Sequence, residues 1–269
     1  MTENSTPSQF EFREKSLASK IVLLAGGSGG LGTATASLLA REGARLLIGY
    51  RSNGKRARQL QQVLRESGAA AELIEGDLNQ AGIVEEYIRR AATLGPLVGM
   101  AIFVGDPARA ASPEPSTAER ERERMQSSWN MNFLGPYQLA RRAAQEMVAQ
   151  GTAGSIVLIA TMQAVAPFEK SAAYAAPKAA LVHAARVLAY EFGGTNNICV
   201  NVVAPGVTTA GMAAASVAAG KYEHFLQSGV IPRYGKAEDV ARVVRLLLEP
   251  DSYVSGQVIT VDGGLTLRR

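Results

Sequence analysis

Seven short apolar runs punctuate the chain, near residues 21–25, 45–50, 71–75, 98–104, 155–160, 198–203 and 257–261, with helical segments between them. None of the runs shows a clear polar face, so each predicts a strand buried on both sides. Strands of this kind alternating with helices imply an α/β class, a parallel sheet with helices on both faces. Right-handed crossovers then favour the doubly wound, Rossmann-type arrangement, in which a ligand lies beyond the C-terminal ends of the strands.

Two of those ends carry chemistry. The first run passes into Gly26, Gly27, Ser28, Gly29, Gly30, Leu31 and Gly32, and then into a helix expected over residues 33–41. Glycines let the backbone turn tightly, let a pyrophosphate approach it, and leave the helix N-terminus open to an anion. With a strand before and a helix after, the loop reads as a dinucleotide site. The fifth run ends at Thr161, and Tyr174 and Lys178 follow at a spacing that puts both on one helix face. A phenol titrates near pH ~10, and a fixed ammonium beside it is the simplest way to bring it toward working pH. Pro177, between the two, costs little if the helix begins near Ala172 or Ala173 and predicts a kink if it begins earlier.

In these motifs and their order the chain resembles the short-chain dehydrogenase/reductases, compact single-domain oxidoreductases similar to 3-oxoacyl-[acyl-carrier-protein] reductases. The resemblance runs from about Leu17 to Leu265. It implies that Asn132, Thr161, Tyr174 and Lys178 form the catalytic set and that Gly26, Gly30 and Gly32 are the cofactor glycines, with Ser28, Gly29 and Leu31 in the same loop. Asp77 and Leu78 would meet the adenine, while Val104, Gly105, Pro205, Gly206, Val207 and Thr208 would border the nicotinamide half. The segments around Arg233–Ala241 and Ser255–Gly264 match the family's C-terminal signature. The implied reaction is hydride transfer between a nicotinamide and a carbonyl or alcohol carbon, with Tyr174 exchanging the proton and Asn132 keeping a water in its path. The resemblance also suggests a homotetramer, or a homodimer, built through the helices that carry Asn132 and Tyr174 and through the C-terminal segment.

The chain departs from the family at three places. Ile102, Phe103, Val104 and Gly105 stand where Asn-Asn-Ala-Gly is usual, so only the glycine is kept and a polar tie becomes apolar packing. Thr161 replaces a serine, adding a methyl beside the substrate. Ala210 stands where a threonine is usual, with Thr208 and Thr209 just before it.

Cofactor choice turns on the end of the second run. NAD sites usually place a carboxylate there, which binds the ribose and repels a 2′-phosphate. Tyr50 occupies that neighbourhood, followed by Arg51, Ser52 and Lys55, groups that suit a phosphate and favour NADP over NAD. Residues 207–232, rich in alanine with Met212, Tyr222, His224 and Phe225 as larger groups, read as a lid over a mid-sized carbonyl compound.

Composition narrows the rest. The 269 residues, 47% apolar, suffice for one domain over residues 17–269 behind a polar, flexible N-terminal extension, residues 1–16. The net charge of +4 invites a nucleic-acid reading, but Arg120, Arg122 and Arg124 alternate with Glu119, Glu121 and Glu123 as a mixed solvated face. No apolar stretch approaches the ~20 residues that span a bilayer. The one cysteine, Cys199, cannot form an internal disulfide, which suits a reducing cytoplasm. No metal-ligand pattern is present. An NADPH-dependent reductase of a small carbonyl compound is the leading expectation; the competing one is an NADP-binding sensor or scaffold with little turnover.

Overall fold

The computed structural model describes residues 15–107 and 117–268. Its strands are β1 Ile21–Ala25, β2 Arg45–Tyr50, β3 Ala71–Glu75, β4 Leu97–Ile102, β5 Gly154–Ile159, β6 Ile198–Pro205 and β7 Val258–Val261, joined in one sheet of order β3-β2-β1-β4-β5-β6-β7. Every pairing is parallel, so the chain crosses over the sheet between neighbours as the alternation predicts. The order reverses direction between β1 and β4, which opens the crevice where doubly wound sheets take ligands.

The helices are α1 Gly30–Arg41, α2 Gly54–Glu66, α3 Ile83–Leu94, α4 Ala118–Trp129, α5 Gly135–Ala149, α6 Ala172–Phe192, α7 Ala214–Ala218, α8 Glu223–Gln227, α9 Ala237–Leu247 and α10 Leu265–Arg268. Alternate strand residues feed two separate cores. Ile21, Leu23 and Ala25 of β1 pack with α3, α5 and α6, whereas Val22 and Leu24 pack with α1, α2 and α9. This is why β1 shows no polar face: both of its faces are dry. Truncating a fully buried leucine such as Leu24 to alanine in such a core costs about 2–5 kcal/mol.

Two element boundaries differ from expectation for a local reason. β4 stops at Ile102, not residue 104, because the carbonyl of Val104 is turned away from the ladder to meet the Lys178 ammonium. α1 begins at Gly30, three residues early, since Gly29 serves as its N-cap and Thr33 already donates to the Gly29 carbonyl. Of the expected N-terminal extension only Lys15 and Ser16 fall within the described residues; Ser16 is hydrogen-bonded to Glu249 and Arg245, and Leu17 is fully buried. Arginine and glutamate alternate along α4, and its first six residues are exposed, as the charge pattern implies. No helix among the described residues is long and apolar enough to cross a membrane.

Candidate active site

The glycine loop leaves β1 through Gly26, at φ +73°, and ends on the first turn of α1. Gly29 caps that turn with no side-chain hydrogen bond, so the first backbone N–H groups of α1 keep their donor capacity for an anion. A methyl group on Gly30 would stand 2.4 Å from the Gly211 nitrogen. The loop therefore packs against Ala210 and Gly211, at the start of the segment expected to form a lid.

Lys178 is fully buried on α6, one turn beyond Tyr174, and its Nζ donates to the carbonyls of Ile159 at 2.8 Å and Val104 at 3.1 Å. It thus spans the ends of β5 and β4. Burial pulls this amine down to about 7. The helix begins at Ala172, as the cheaper alternative for Pro177 requires, and the proline falls in its second turn.

Asn132 sits in a five-residue π-helical turn, Asn130–Leu134, that joins α4 to α5. Such turns widen a helix by one residue and recur at functional sites. Its side chain is completely buried and satisfied: Oδ1 accepts from the Asp106 N–H, and Nδ2 donates to the Asp106 carbonyl and to Ser128 Oγ, each at 2.9 Å. Gly105 lies between these groups. A methyl there would come within 2.9 Å of Asn132 Oδ1 and 3.2 Å of Lys178 Nζ, which explains why the glycine alone survives from the family's four-residue pattern. The polar tie that the pattern lost is replaced by backbone: Phe103 N–H donates to the Ala25 carbonyl, and the Phe103 and Val104 side chains join the two cores.

Tyr174 is half-buried at the mouth, beside Thr161. Burial pushes its phenol up to about 12; a hydrogen bond with Thr161 pulls the other way, and the charge of Asp106 adds to the rise. Lys178 Nζ is drawn toward two strand-end carbonyls, and desolvation dominates at Tyr174. Thr161 Oγ1 also accepts from the Gln163 N–H at 3.3 Å, so the threonine is itself oriented.

Of the two residues expected to meet the adenine, Asp77 accepts through Oδ1 from the backbone and side-chain amides of Asn79, and Leu78 is buried under α5. Arg51 lies 3.9 Å from Asp77 and 3.4 Å from the Met131 sulfur, while Ser52 is exposed beside it. Tyr50, at the end of β2, donates to Glu75 at 3.0 Å. The sequence reading missed Arg56, whose guanidinium reaches within 3.9 Å of the space beside Gly29. Only its place in the run of cations at Arg51, Lys55, Arg56 and Arg58 pointed to it. Ser128 and Asp106 were missed too; Ser128, four residues before Asn132 on a helix, was legible in principle.

After β6, Gly206 donates to the Val261 carbonyl, and Val207 and Thr208 are buried. Thr208 Oγ1 donates to the Ala210 carbonyl, which answers the displaced threonine: the hydroxyl closes its own turn. Within the segment expected to form a lid, Tyr222 and Phe225 stack with centroids 6.4 Å apart and pack against a small cluster with Met162, Val207 and Ile231. His224 lies against Phe225 and is exposed, as is His183. Cys199 is a buried core residue whose thiol is held up by burial. No cluster of metal-ligating residues occurs among the described residues.

Comparison with known proteins agrees with this geometry. Residues 25–266 match a family model described as enoyl-(acyl carrier protein) reductase. A short-chain type dehydrogenase/reductase of Picea abies is 30% identical over 256 residues, 92% of this chain and 93% of that protein. A 3-oxoacyl-[acyl-carrier-protein] reductase of Rattus norvegicus is 32% identical over 249 residues, 92% and 98% of the two chains. Among solved structures, an actinorhodin polyketide ketoreductase with NADPH superposes with a TM-score of 0.80 at 25% identity, covering 93% of this chain and 98% of that one. With its glycine loop at α1, its Tyr174 and Lys178 on α6 and a match along nearly its whole length, the chain belongs to the short-chain dehydrogenase/reductases, oxidoreductases that interconvert an alcohol and a carbonyl.

Proposed function

We propose that the protein is an NADPH-dependent reductase of a small carbonyl substrate, with Tyr174 as the proton donor. The observation that carries this reading is the convergence of Lys178, Asn132 and Tyr174 with Thr161 at the ends of β4 and β5, beside the glycine loop.

The residues present fit a dinucleotide. The uncapped first turn of α1 at Gly29, Gly30, Leu31 and Gly32, with buried Ser28, would hold the pyrophosphate. Arg51 and Arg56 would flank the ribose position, with Ser52 and Lys55 near, and β2 ends in Tyr50 where a carboxylate would repel a 2′-phosphate. Asp77 and Leu78 would border the adenine. Val104, Gly105, Pro205, Gly206, Val207 and Thr208 would border the nicotinamide. When bound, the cofactor supplies the hydride.

The chain's own residues handle the proton. A phenol raised to about 12 is fully protonated at neutral pH and still far more acidic than an alcohol. Transfer from Tyr174 to a developing alkoxide is therefore downhill, whereas removing a proton from an alcohol is the harder direction. Thr161 would hold the carbonyl oxygen beside the phenol, and Asn132 would keep the β4 loop rigid beneath Lys178.

Exposed Val148 on α5 with Val187 and Tyr190 on α6, and exposed Tyr253 and Leu267 near the C-terminus, support assembly of a homotetramer through these two faces. Light scattering of the purified protein tests that part.

Initial rates with NADPH and NADH against ketones, aldehydes and 3-oxoacyl thioesters test the activity. Turnover that favours NADPH and falls at least 1,000-fold in Tyr174→Phe supports the proposal. NADPH binding without turnover of any compound would overturn it in favour of a binding protein.

A further inference from the structure

Asp106 follows Gly105 on the β4 loop, and none of the family motifs includes it. The structure nevertheless fixes it at the reaction centre. Its backbone is held from both sides by Asn132, and its neighbour Gly105 lies against Lys178 Nζ. The residue is half-buried, and its charge is felt by the Tyr174 phenol. From the lid side, Tyr222 acts on the same phenol. Phe168, Val207 and Tyr222 make the lid side of the site apolar and aromatic.

We infer that the Asp106 carboxylate is a specificity-determining substrate contact, taking a hydrogen-bond donor, a hydroxyl or an ammonium, on the carbon next to the reacting carbonyl. The inference rests on the reductase reading above. A carbonyl oxygen placed at Tyr174 and Thr161 sends its neighbouring substituents either toward the β4 loop or toward the lid. On the lid side they would meet Tyr222 and apolar carbon; on the β4 side they would meet the Asp106 carboxylate. An ionised carboxylate only accepts hydrogen bonds, offers about four lone-pair sites, and so serves a substrate in addition to partners within the protein. It welcomes a donor, gains nothing from a methyl, and repels an anion. Asn132 grips the backbone of Asp106, so these two contacts on the loop remain when the side chain is exchanged.

Two matched pairs test this. 1-Hydroxybutan-2-one and pentan-3-one differ by hydroxyl against methyl; 1-(dimethylamino)propan-2-one and 4-methylpentan-2-one differ by ammonium against an isopropyl carbon. The ratio of kcat/KM within each pair is measured for the wild type and for Asp106→Ala with NADPH. The same four ketones are titrated into each protein–NADPH complex and Kd is read from NADPH fluorescence, so discrimination is visible with or without turnover. A donor preference of about tenfold or more in at least one pair, collapsing toward unity in Asp106→Ala, is expected; the pair that responds tells hydroxyl from ammonium. Equal ratios in the two proteins, or no preference for either donor in wild-type binding, would overturn the role of Asp106. Selective binding without turnover would overturn the reductase reading and leave the contact standing.

Discussion

Asn132 holds Asp106 by both backbone polar groups, accepting from its N–H and donating to its carbonyl at 2.9 Å each. One side chain thereby does for the β4 loop what a strand partner does for a ladder. Replacing it with alanine strands two partly buried backbone groups of Asp106 and the Ser128 hydroxyl. Asn132→Ala should lose about 2–4 kcal/mol of stability, measured by urea unfolding. Ser128→Ala, which removes one of the three contacts, should lose about 1 kcal/mol. Equal losses in the two variants would argue against this division of labour.

Gly105→Ala should be more damaging than an exposed glycine substitution. Its methyl would meet Asn132 Oδ1 at 2.9 Å and Lys178 Nζ at 3.2 Å, two groups held by their own hydrogen bonds. A cost of about 1–3 kcal/mol and a fall in kcat at least as large as the fall in kcat/KM are expected. Full activity at wild-type stability would show that the loop yields.

The buried Lys178 amine, pulled down to about 7 from an ordinary value near 10.5, gives a pH signature. Between those two values the unfolded chain binds more protons at this residue than the native one, so its contribution to stability grows as pH rises through the window. It is complete above 10.5 and is lost as pH falls through 7. The slope is at most ~1.4 kcal/mol per pH unit. Unfolding free energies at pH 7.5 and 9.5, without cofactor, should rise for the wild type relative to Lys178→Met. Tyr174 acts oppositely but only above its ordinary value of 10, since its folded value lies at about 12.

Arg56→Ala should separate the two cofactors. The guanidinium lies near Gly29, across the ribose position from Arg51. Its loss should raise the Kd for NADPH about tenfold or more and that for NADH less than threefold, as titrated by fluorescence at one fixed salt concentration. A matching rise for both cofactors would assign Arg56 to the pyrophosphate or to the loop instead.

The sheet was legible because each strand is apolar on both faces, a pattern that few other architectures produce. The glycine loop and the Tyr174–Lys178 spacing were legible because local geometry fixes what glycine and one helical turn can do. The direction of the Lys178 ammonium was not legible. It depends on carbonyls of Val104 and Ile159, 74 and 19 residues earlier, whose place is set only by the order of β4, β5 and α6. Asp106 and Arg56 escaped for a similar reason. Each lies in a charged or irregular segment whose facing is decided by a partner elsewhere, Asn132 in one case and the glycine loop in the other.

The segment proposed as a lid follows β6, and Thr208 and Gly235 at its two ends form a parallel bridge. Gly235 donates to Val207 and its carbonyl accepts from Thr209, so both ends are stapled together at 2.9 Å. A segment whose ends meet at a fixed point behaves as a cassette: its length and side chains can vary while the closure cost changes only slowly with residue number. Selection on substrate can thus act on one uninterrupted stretch of gene, separate from the stretches that encode the cofactor loops at β1 and β2. A graft of residues 209–234 from a relative should carry with it the part of substrate preference that this segment sets, leaving the contribution of Asp106 and the coenzyme choice behind.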